Sequence, residues 1–199
     1  MPTRLLDGYQ RFLAGYFSKN REALLELARG QSPEVAIVAC CDSRVDPAII
    51  FDVAPGDVFV IRNVANLVPP FESEGRYHGT SAALEFAVTG LQVKHVVVLG
   101  HANCGGIKTL MSGKSSNWKS DFLDQWMFIA ADAIEQVRQL GGNLSESERM
   151  HACEKAAAIH SRKNLMTFPW IRERVHKGTL SLHAWYYDLG NGSLDQLAS

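Results

Sequence analysis

The sequence has no long apolar run. No stretch approaches the ~20 consecutive apolar residues that cross a bilayer, and the opening residues, Met1 to Asp7, lack the apolar segment of a secretory signal. These absences argue against an integral membrane protein and against export. We therefore expect a cytoplasmic protein.

An excess of charge of one sign is also absent. The 199 residues carry 20 basic and 21 acidic side chains, interspersed along the chain, with a formal net charge of −1. Nucleic acids and anionic membrane surfaces attract proteins through a basic patch. The composition thus excludes both as expected partners.

Cysteine is scarce, with four residues in the chain. In a reducing compartment so few thiols indicate metal ligands or buried side chains before disulfides. The hydrophobic content of 46% is enough for a sizeable core, and the length fits one α/β domain spanning 1–199. A second full domain is not expected.

The first thirty residues predict two helices. Apolar side chains recur at three- and four-residue steps from Leu5 to Phe17, and Asn20 and Gly30 can bound a second helix between them. We treat 1–30 as an N-terminal helical arm. Its apolar face can pack on a partner subunit or on the chain's own sheet, and the sequence does not decide between the two.

Beyond the arm, short apolar strands alternate with helical patterns, which is typical of a mostly parallel β-sheet flanked by helices. The predicted strands are Val35–Ala39, Val58–Ile61, Val96–Gly100 and Thr179–Asp188. The predicted helices are Thr80–Leu91, Asp121–Leu140, one that begins at Ser145, and Pro169–Gly178. An irregular loop is expected from Leu67 to Tyr77. Gly141-Gly142 is the expected stop of one helix, and Asn191-Gly192 the turn of a C-terminal hairpin.

Metal-type ligands follow two of these strands. Cys40 ends the first, and His101 and Cys104 follow the third. Because binding crevices in parallel sheets lie beyond the carboxyl ends of the strands, we expect these three side chains to meet. Two thiolates and one imidazole suit Zn²⁺, and three protein ligands leave a fourth position open, as in catalytic zinc sites. The alternative is that all three are packing residues.

The loop from Gly100 to Gly106 also resembles a phosphate-binding loop in outline, because a glycine-rich turn between a strand and a helix can bind anions. A P-loop requires Lys after its last fixed glycine, where this chain has Ile107, and the dinucleotide-binding spacing is absent. Gly105 instead lets backbone approach a small ligand closely, and we predict that it binds substrate.

Three segments carry a family resemblance: Ala39-Cys-Cys-Asp-Ser-Arg-Val45, Arg62-Asn-Val-Ala-Asn66 and Gly100-His-Ala-Asn-Cys-Gly-Gly106. In order and spacing they resemble the motifs of the β-class carbonic anhydrases, and the match covers nearly the whole chain. The resemblance implies a carbonate dehydratase, a zinc lyase that reversibly hydrates CO₂ to bicarbonate and a proton through zinc-bound hydroxide.

The same resemblance implies the roles of individual residues. It assigns the metal to Cys40, His101 and Cys104, and a catalytic Asp-Arg dyad to Asp42 and Arg44. It also implies that Gln31 orients substrate across a dimer interface, in a homodimer or a dimer of dimers. Phe59 and Val64 would line the apolar CO₂ pocket.

Two positions depart from the family pattern. Cys41 stands where Ser is usual, and Phe86 stands where many members have Tyr. Only one of the adjacent cysteines can be the ligand, because successive side chains of a strand point to opposite faces. Family spacing selects Cys40, and we expect Cys41 to point elsewhere, into the core.

Two other functions remain open from the sequence. A CS₂ or COS hydrolase would share the same zinc ligands and differ in access to the pocket. A structural-zinc binding module would need four protein ligands, with Asp42 permanently on the metal.

Overall fold

The computed structural model describes residues 2–74, 77–113, 120–139 and 144–198. The chain begins with α1 (Pro2–Phe12), which continues through a π-helical turn (Leu13–Phe17), and with α2 (Arg21–Leu27). Both arm helices were predicted. The apolar side chains of α1 are exposed, Leu5 by 78% and Leu6 by 63%, so the arm does not bury this face on its own sheet.

The sheet contains β1 (Val35–Cys40), β2 (Val58–Asn63), β3 (His95–His101), β4 (Ser181–Tyr187) and β5 (Leu194–Gln196). Its strand order is β2-β1-β3-β4-β5, with the first four strands parallel. β5 runs antiparallel to β4, which confirms the C-terminal hairpin. The mostly parallel sheet is also confirmed, and β1 and β3 lie side by side within it.

Helices fill the connections between the strands. They are α3 (Pro47–Ile50), α4 (Gly79–Glu85, continued by a π-helical turn, Phe86–Gly90), α5 (Gly105–Ser112), α6 (Leu123–Met127), α7 (Ala131–Gln139), α8 (Glu146–Leu165) and α9 (Pro169–His176). A capping box starts α8 at the predicted position: Ser145 accepts the Glu148 N–H at 3.2 Å, and the Glu148 carboxylate accepts the Ser145 N–H at 2.8 Å. Among the described helices, none combines the length and apolarity needed to cross a bilayer.

One predicted helix is present but less regular than expected. The single helix expected from Asp121 to Leu140 is divided into α6 and α7 by a 3₁₀ turn, Phe128–Ala130. The apolar period continues through the turn, so periodicity could not reveal the break. The expected stop at Gly141-Gly142 lies outside the described residues, as does Gly75 of the irregular loop.

Both faces of the sheet are buried at its centre. Val38 and Val98 pack with residues of α8 and α9 on one face, and Ala39 and Leu99 pack near Phe51 and Trp185 on the other. On the α8 side, a Cβ added at Gly100 would lie 3.1 Å from the Ala158 Cβ. Helix α8 therefore lies directly against the carboxyl end of β3.

Candidate metal centre

The three predicted metal-type ligands come together at one edge of the sheet. Cys40 is the last residue of β1, His101 is the last residue of β3, and Cys104 directly precedes α5. One ligand atom from each side chain lies within 4.8 Å of the other two, and all three residues are buried. The prediction that these side chains meet is confirmed.

A tight turn returns the chain from His101 to Cys104. Asn103 adopts φ = +57°, in the left-handed region that Asn tolerates better than most residues. The turn is anchored to the sheet, because the Ala102 N–H donates to the Tyr187 carbonyl at 2.9 Å. His101 and Cys104 are thereby held as neighbours, only three residues apart.

The ring of His101 is oriented for a ligand. Its Nδ1 lies 2.9 Å from the Ala102 carbonyl oxygen, a contact that suits an Nδ1–H donor and leaves a lone pair on Nε2. Within the described parts of the chain, Nε2 is the buried side-chain nitrogen or oxygen that has no hydrogen-bond partner. Buried polar atoms are nearly always paired, so this nitrogen and two nearby sulfurs fit a metal ion.

The pKa values of the two thiols are shifted in opposite directions. A hydrogen bond from the Cys104 thiol lowers the pKa of Cys40, although burial opposes the effect. The same hydrogen bond and burial raise the pKa of Cys104. Burial disfavours the imidazolium of His101, but the nearby Cys40 sulfur and its negative charge outweigh this effect and raise the pKa of His101. A cation between the sulfurs would stabilise both as thiolates.

An ion pair follows β1 beside this group. The Asp42 carboxylate accepts from Arg44 Nε at 2.9 Å and Nη2 at 2.7 Å, and from the Arg44 backbone N–H at 3.0 Å. These hydrogen bonds hold the pKa of Asp42 well below its usual range. Arg44 Nη2 also donates to the Asn103 carbonyl at 3.0 Å, which ties the loops after β1 and β3 together.

Arg62 supports the loop after β1. Its guanidinium donates to the backbone carbonyls of Cys40 at 2.9 Å, Asp42 at 2.8 Å and Val45 at 2.6 Å. Sequence reasoning missed this role, although the residue lies in one of the recognised motifs. An Arg at the end of a strand beside the first cysteine was the available signal.

The adjacent cysteines separate clearly. Cys40 is buried in the three-residue group, whereas Cys41 is exposed and lies outside it. The expectation that Cys41 points into the core is therefore wrong. Pairing with β2 ends at Cys40 and Asn63, and the Cys41 N–H donates to the Asn63 carbonyl at 2.8 Å, so the chain leaves the sheet at this point and the side chain reaches the surface.

Comparisons with known proteins agree with this geometry. A protein-family model described as carbonic anhydrase matches residues 35–194. β carbonic anhydrase 5, chloroplastic, from Arabidopsis thaliana is 41% identical over 187 residues, which make up 92% of this chain and 61% of that protein. This chain belongs to the β-class carbonic anhydrases.

Solved structures of β-class carbonic anhydrases share the fold. The β-carbonic anhydrase CcaA is 33% identical, with a TM-score of 0.91 over 99% of this chain and 91% of that one. One of two β-carbonic anhydrases of Sordaria macrospora that are described as tetrameric is 31% identical. Its TM-score is 0.86, over 99% of this chain and 96% of that one. The chain spans 61% of the length of its Arabidopsis relative.

Two of the predicted substrate-binding residues lie close to the metal-type ligands: Val64, which the β-class resemblance implies, and Gly105, which was predicted from the glycine-rich turn. Val64 packs against the apolar cluster that includes Cys40 and Cys104. Gly105 begins α5 immediately after Cys104, and no atom lies within 4 Å of the place where its Cβ would be. A side chain added at this position would therefore meet open space beyond its own turn of helix.

The other two assigned residues lie apart from this group within one chain. Phe59 packs on the core cluster of the α8 side and contacts Phe86, with ring centroids 5.8 Å apart. Gln31 lies before the amino end of β1 and is exposed. Cys40 is at the carboxyl end of β1, and a strand of this length spans roughly 17 Å. A direct role for Gln31 in its own chain's site is therefore excluded by distance.

Proposed function

We propose that this chain binds Zn²⁺ through Cys40, His101 and Cys104 and catalyses the reversible hydration of CO₂ to bicarbonate and a proton. The observation that carries the proposal is the buried group of two sulfurs and an imidazole nitrogen that has no hydrogen-bond partner among the described residues, beside an Asp-Arg ion pair. Membership of the β-class family supports the same activity.

The donor set fits a catalytic zinc ion. Two thiolates and one imidazole are zinc ligands, and three protein ligands leave one position open. Asp42 does not close that position here, since Arg44 holds both of its carboxylate oxygens. When bound, zinc would supply a Lewis acid that lowers the pKa of a water molecule in the open position.

Asp42 and Arg44 would then orient the attacking water. The lowered pKa of Asp42 keeps its carboxylate ionised at neutral pH, so it can accept a hydrogen bond but cannot donate one. When Asp42 accepts a hydrogen bond from one O–H of the attacking water, a lone pair of the water oxygen is left free to point at CO₂. Arg44 fixes the orientation of the carboxylate with a planar two-point contact, which the single ammonium of Lys could not reproduce.

Gln31 would act on a neighbouring subunit. Its position at the amino end of β1 supports this role, and so does the exposed apolar face of α1, which a second subunit could cover. We propose a homodimer or a dimer of dimers, and structure neighbours described as tetrameric support an oligomer. Residues 1–199 would form one domain with 1–30 as its arm. Val64 would line the CO₂ pocket of its own chain, and Phe59, which lies apart from that group, would line the pocket of a neighbouring subunit.

A stopped-flow assay of CO₂ hydration tests the activity. Zinc-loaded protein should hydrate CO₂ far faster than metal-stripped protein, and re-addition of zinc should restore the rate. Stoichiometric zinc with turnover of COS or CS₂ but not CO₂ would favour the hydrolase. Stoichiometric zinc without turnover of any of them would indicate a structural site. A cytoplasmic location stays a prediction, to be checked by cell fractionation.

A further inference from the structure

A buried acid lies behind the second sulfur ligand. Glu154, in the middle of α8, is 2% exposed, and Cys104 is also 2% exposed. Acidic side chains are almost never fully buried unless they are paired. The site described above does not use Glu154, so its burial needs a separate explanation.

Two donors meet the two oxygens of this carboxylate. The backbone N–H of Cys104 donates to Glu154 Oε1 at 2.8 Å, and the hydroxyl of Tyr186 donates to Oε2 at 2.7 Å. An ionised carboxylate only accepts hydrogen bonds, and each of its two oxygens accepts one here. Glu154 therefore connects the cysteine loop to the sheet through Tyr186.

The fold fixes the position of this connection. Tyr186 pairs with Gly100 in the register of β3 and β4. Gly100 is also a point where α8 lies close against β3, since an added Cβ would meet Ala158 at 3.1 Å. The helix that carries Glu154 and the strand that carries Tyr186 thus have little freedom to shift relative to the loop.

We propose that Glu154 is a positioning residue that fixes the Cys104 loop, and with it the Cys104 sulfur, in the geometry that binds the metal. This inference rests on the zinc site proposed above. Outer partners that orient a metal ligand commonly change metal affinity by roughly 10- to 100-fold when they are removed. Glu154 acts one step further away, through the backbone of the ligand residue.

Metal binding can be measured without turnover. Co²⁺ added to metal-free protein reports thiolate coordination through its sulfur-to-metal charge-transfer absorption, and competition with a chelator gives the affinity. Glu154→Leu removes both acceptors, Glu154→Gln retains an oxygen for the Cys104 N–H, and Tyr186→Phe removes only the hydroxyl that holds the carboxylate.

A matched control lies on the same helix. Ser161, fully buried, accepts the Val68 backbone N–H at 3.2 Å, so it also joins α8 to a loop by a side-chain oxygen. Ser161→Ala removes a buried bond of the same kind from a different loop. It should lower thermal stability without changing the Co²⁺ affinity or the absorption band.

We expect Glu154→Leu to bind Co²⁺ roughly 10- to 100-fold more weakly than the unaltered protein, with a shifted charge-transfer band. Glu154→Gln should recover most of the affinity, and Tyr186→Phe should lose part of it. Affinities and bands of Glu154→Leu and Tyr186→Phe equal to those of Ser161→Ala would overturn the proposal. If Glu154→Leu does not fold, an unchanged Tyr186→Phe protein overturns it alone.

The failure of the underlying site would look different. In that case the unaltered protein itself would show no sulfur-to-Co²⁺ band, and both the zinc site and the role of Glu154 would be refuted. A band in the unaltered protein that is insensitive to Glu154 and Tyr186 would refute only the positioning role.

Discussion

Adding one methyl group at Gly106 should disturb the packing beside the site. A Cβ there would lie 3.0 Å from Val64 Cγ1, 3.1 Å from Met127 Sδ and 3.2 Å from the Ala65 Cβ. These contacts come from separate elements, the 3₁₀ turn Val64–Asn66 after β2 and the helix α6. Gly106→Ala should therefore push the start of α5 away from the core.

The expected cost is the balance of two effects. Overpacking a core typically costs 1–3 kcal/mol, and replacing Gly by Ala in a helix returns up to about 1 kcal/mol. With a cost in the middle of the first range, about 2 kcal/mol, Gly106→Ala should destabilise the protein by about 1–2 kcal/mol. For a chain of this length that corresponds to a fall in Tm of roughly 2–8 °C.

The neighbouring glycine provides the control. A Cβ at Gly105 would meet no atom within 4 Å, so Gly105→Ala should leave Tm unchanged or raise it slightly. Both variants can be compared by thermal denaturation followed by circular dichroism. Because Cys104 directly precedes α5, Gly106→Ala should also weaken metal binding. Equal Tm values for the two variants would refute the packing argument.

Two further predictions concern the dyad and the assembly. Hydrogen bonds from Arg44 lower the pKa of Asp42 in the folded protein, so the stabilisation from this pair is present above the unfolded value of about 3.9 and is lost only as the pH falls through the lower folded value. A ¹³C NMR titration should find Asp42 mainly ionised at pH ~4, and half-protonation there would contradict the ion pair. If Gln31 serves the neighbouring subunit, Gln31→Ala and Cys40→Ser chains should each be nearly inactive but form a hybrid dimer with one working site. Hybrids with no regained CO₂ hydration would refute that role.

The ligand group could be predicted because it depends on a general property of the fold. Strongly apolar strands alternating with helices indicate a parallel sheet, and the carboxyl ends of neighbouring parallel strands meet at one edge. Cys40 and His101 are separated by sixty residues of sequence, yet they end adjacent strands, β1 and β3. Topology alone therefore brought them together.

The supporting residues could not be predicted in this way. Glu154 lies in a helix rich in charged residues, and its burial depends on the approach of α8 to Gly100 and on the hydroxyl of Tyr186. Arg62 contacts three carbonyls that are distant in sequence. Local periodicity carries no information about such contacts, and it also hid the 3₁₀ turn between α6 and α7.

Cys41 shows a second limit of strand patterns. Alternation of side chains holds while the strand is paired, and the expectation of a core position for Cys41 extended it one residue too far. The chain leaves the sheet after Cys40, so the loop determines that the Cys41 side chain is exposed. The identity of the ligand was still predictable, because the spacing to Asp42 does not depend on the loop.

The central claim is that Cys40, and not the adjacent Cys41, binds zinc in an active site. Zinc content by inductively coupled plasma mass spectrometry, measured on purified Cys40→Ser and Cys41→Ser proteins, tests it most directly. The structure predicts that Cys41→Ser retains about one zinc per chain and most of the CO₂ hydration rate, whereas Cys40→Ser loses both. Zinc retained in Cys40→Ser and lost in Cys41→Ser would contradict the site.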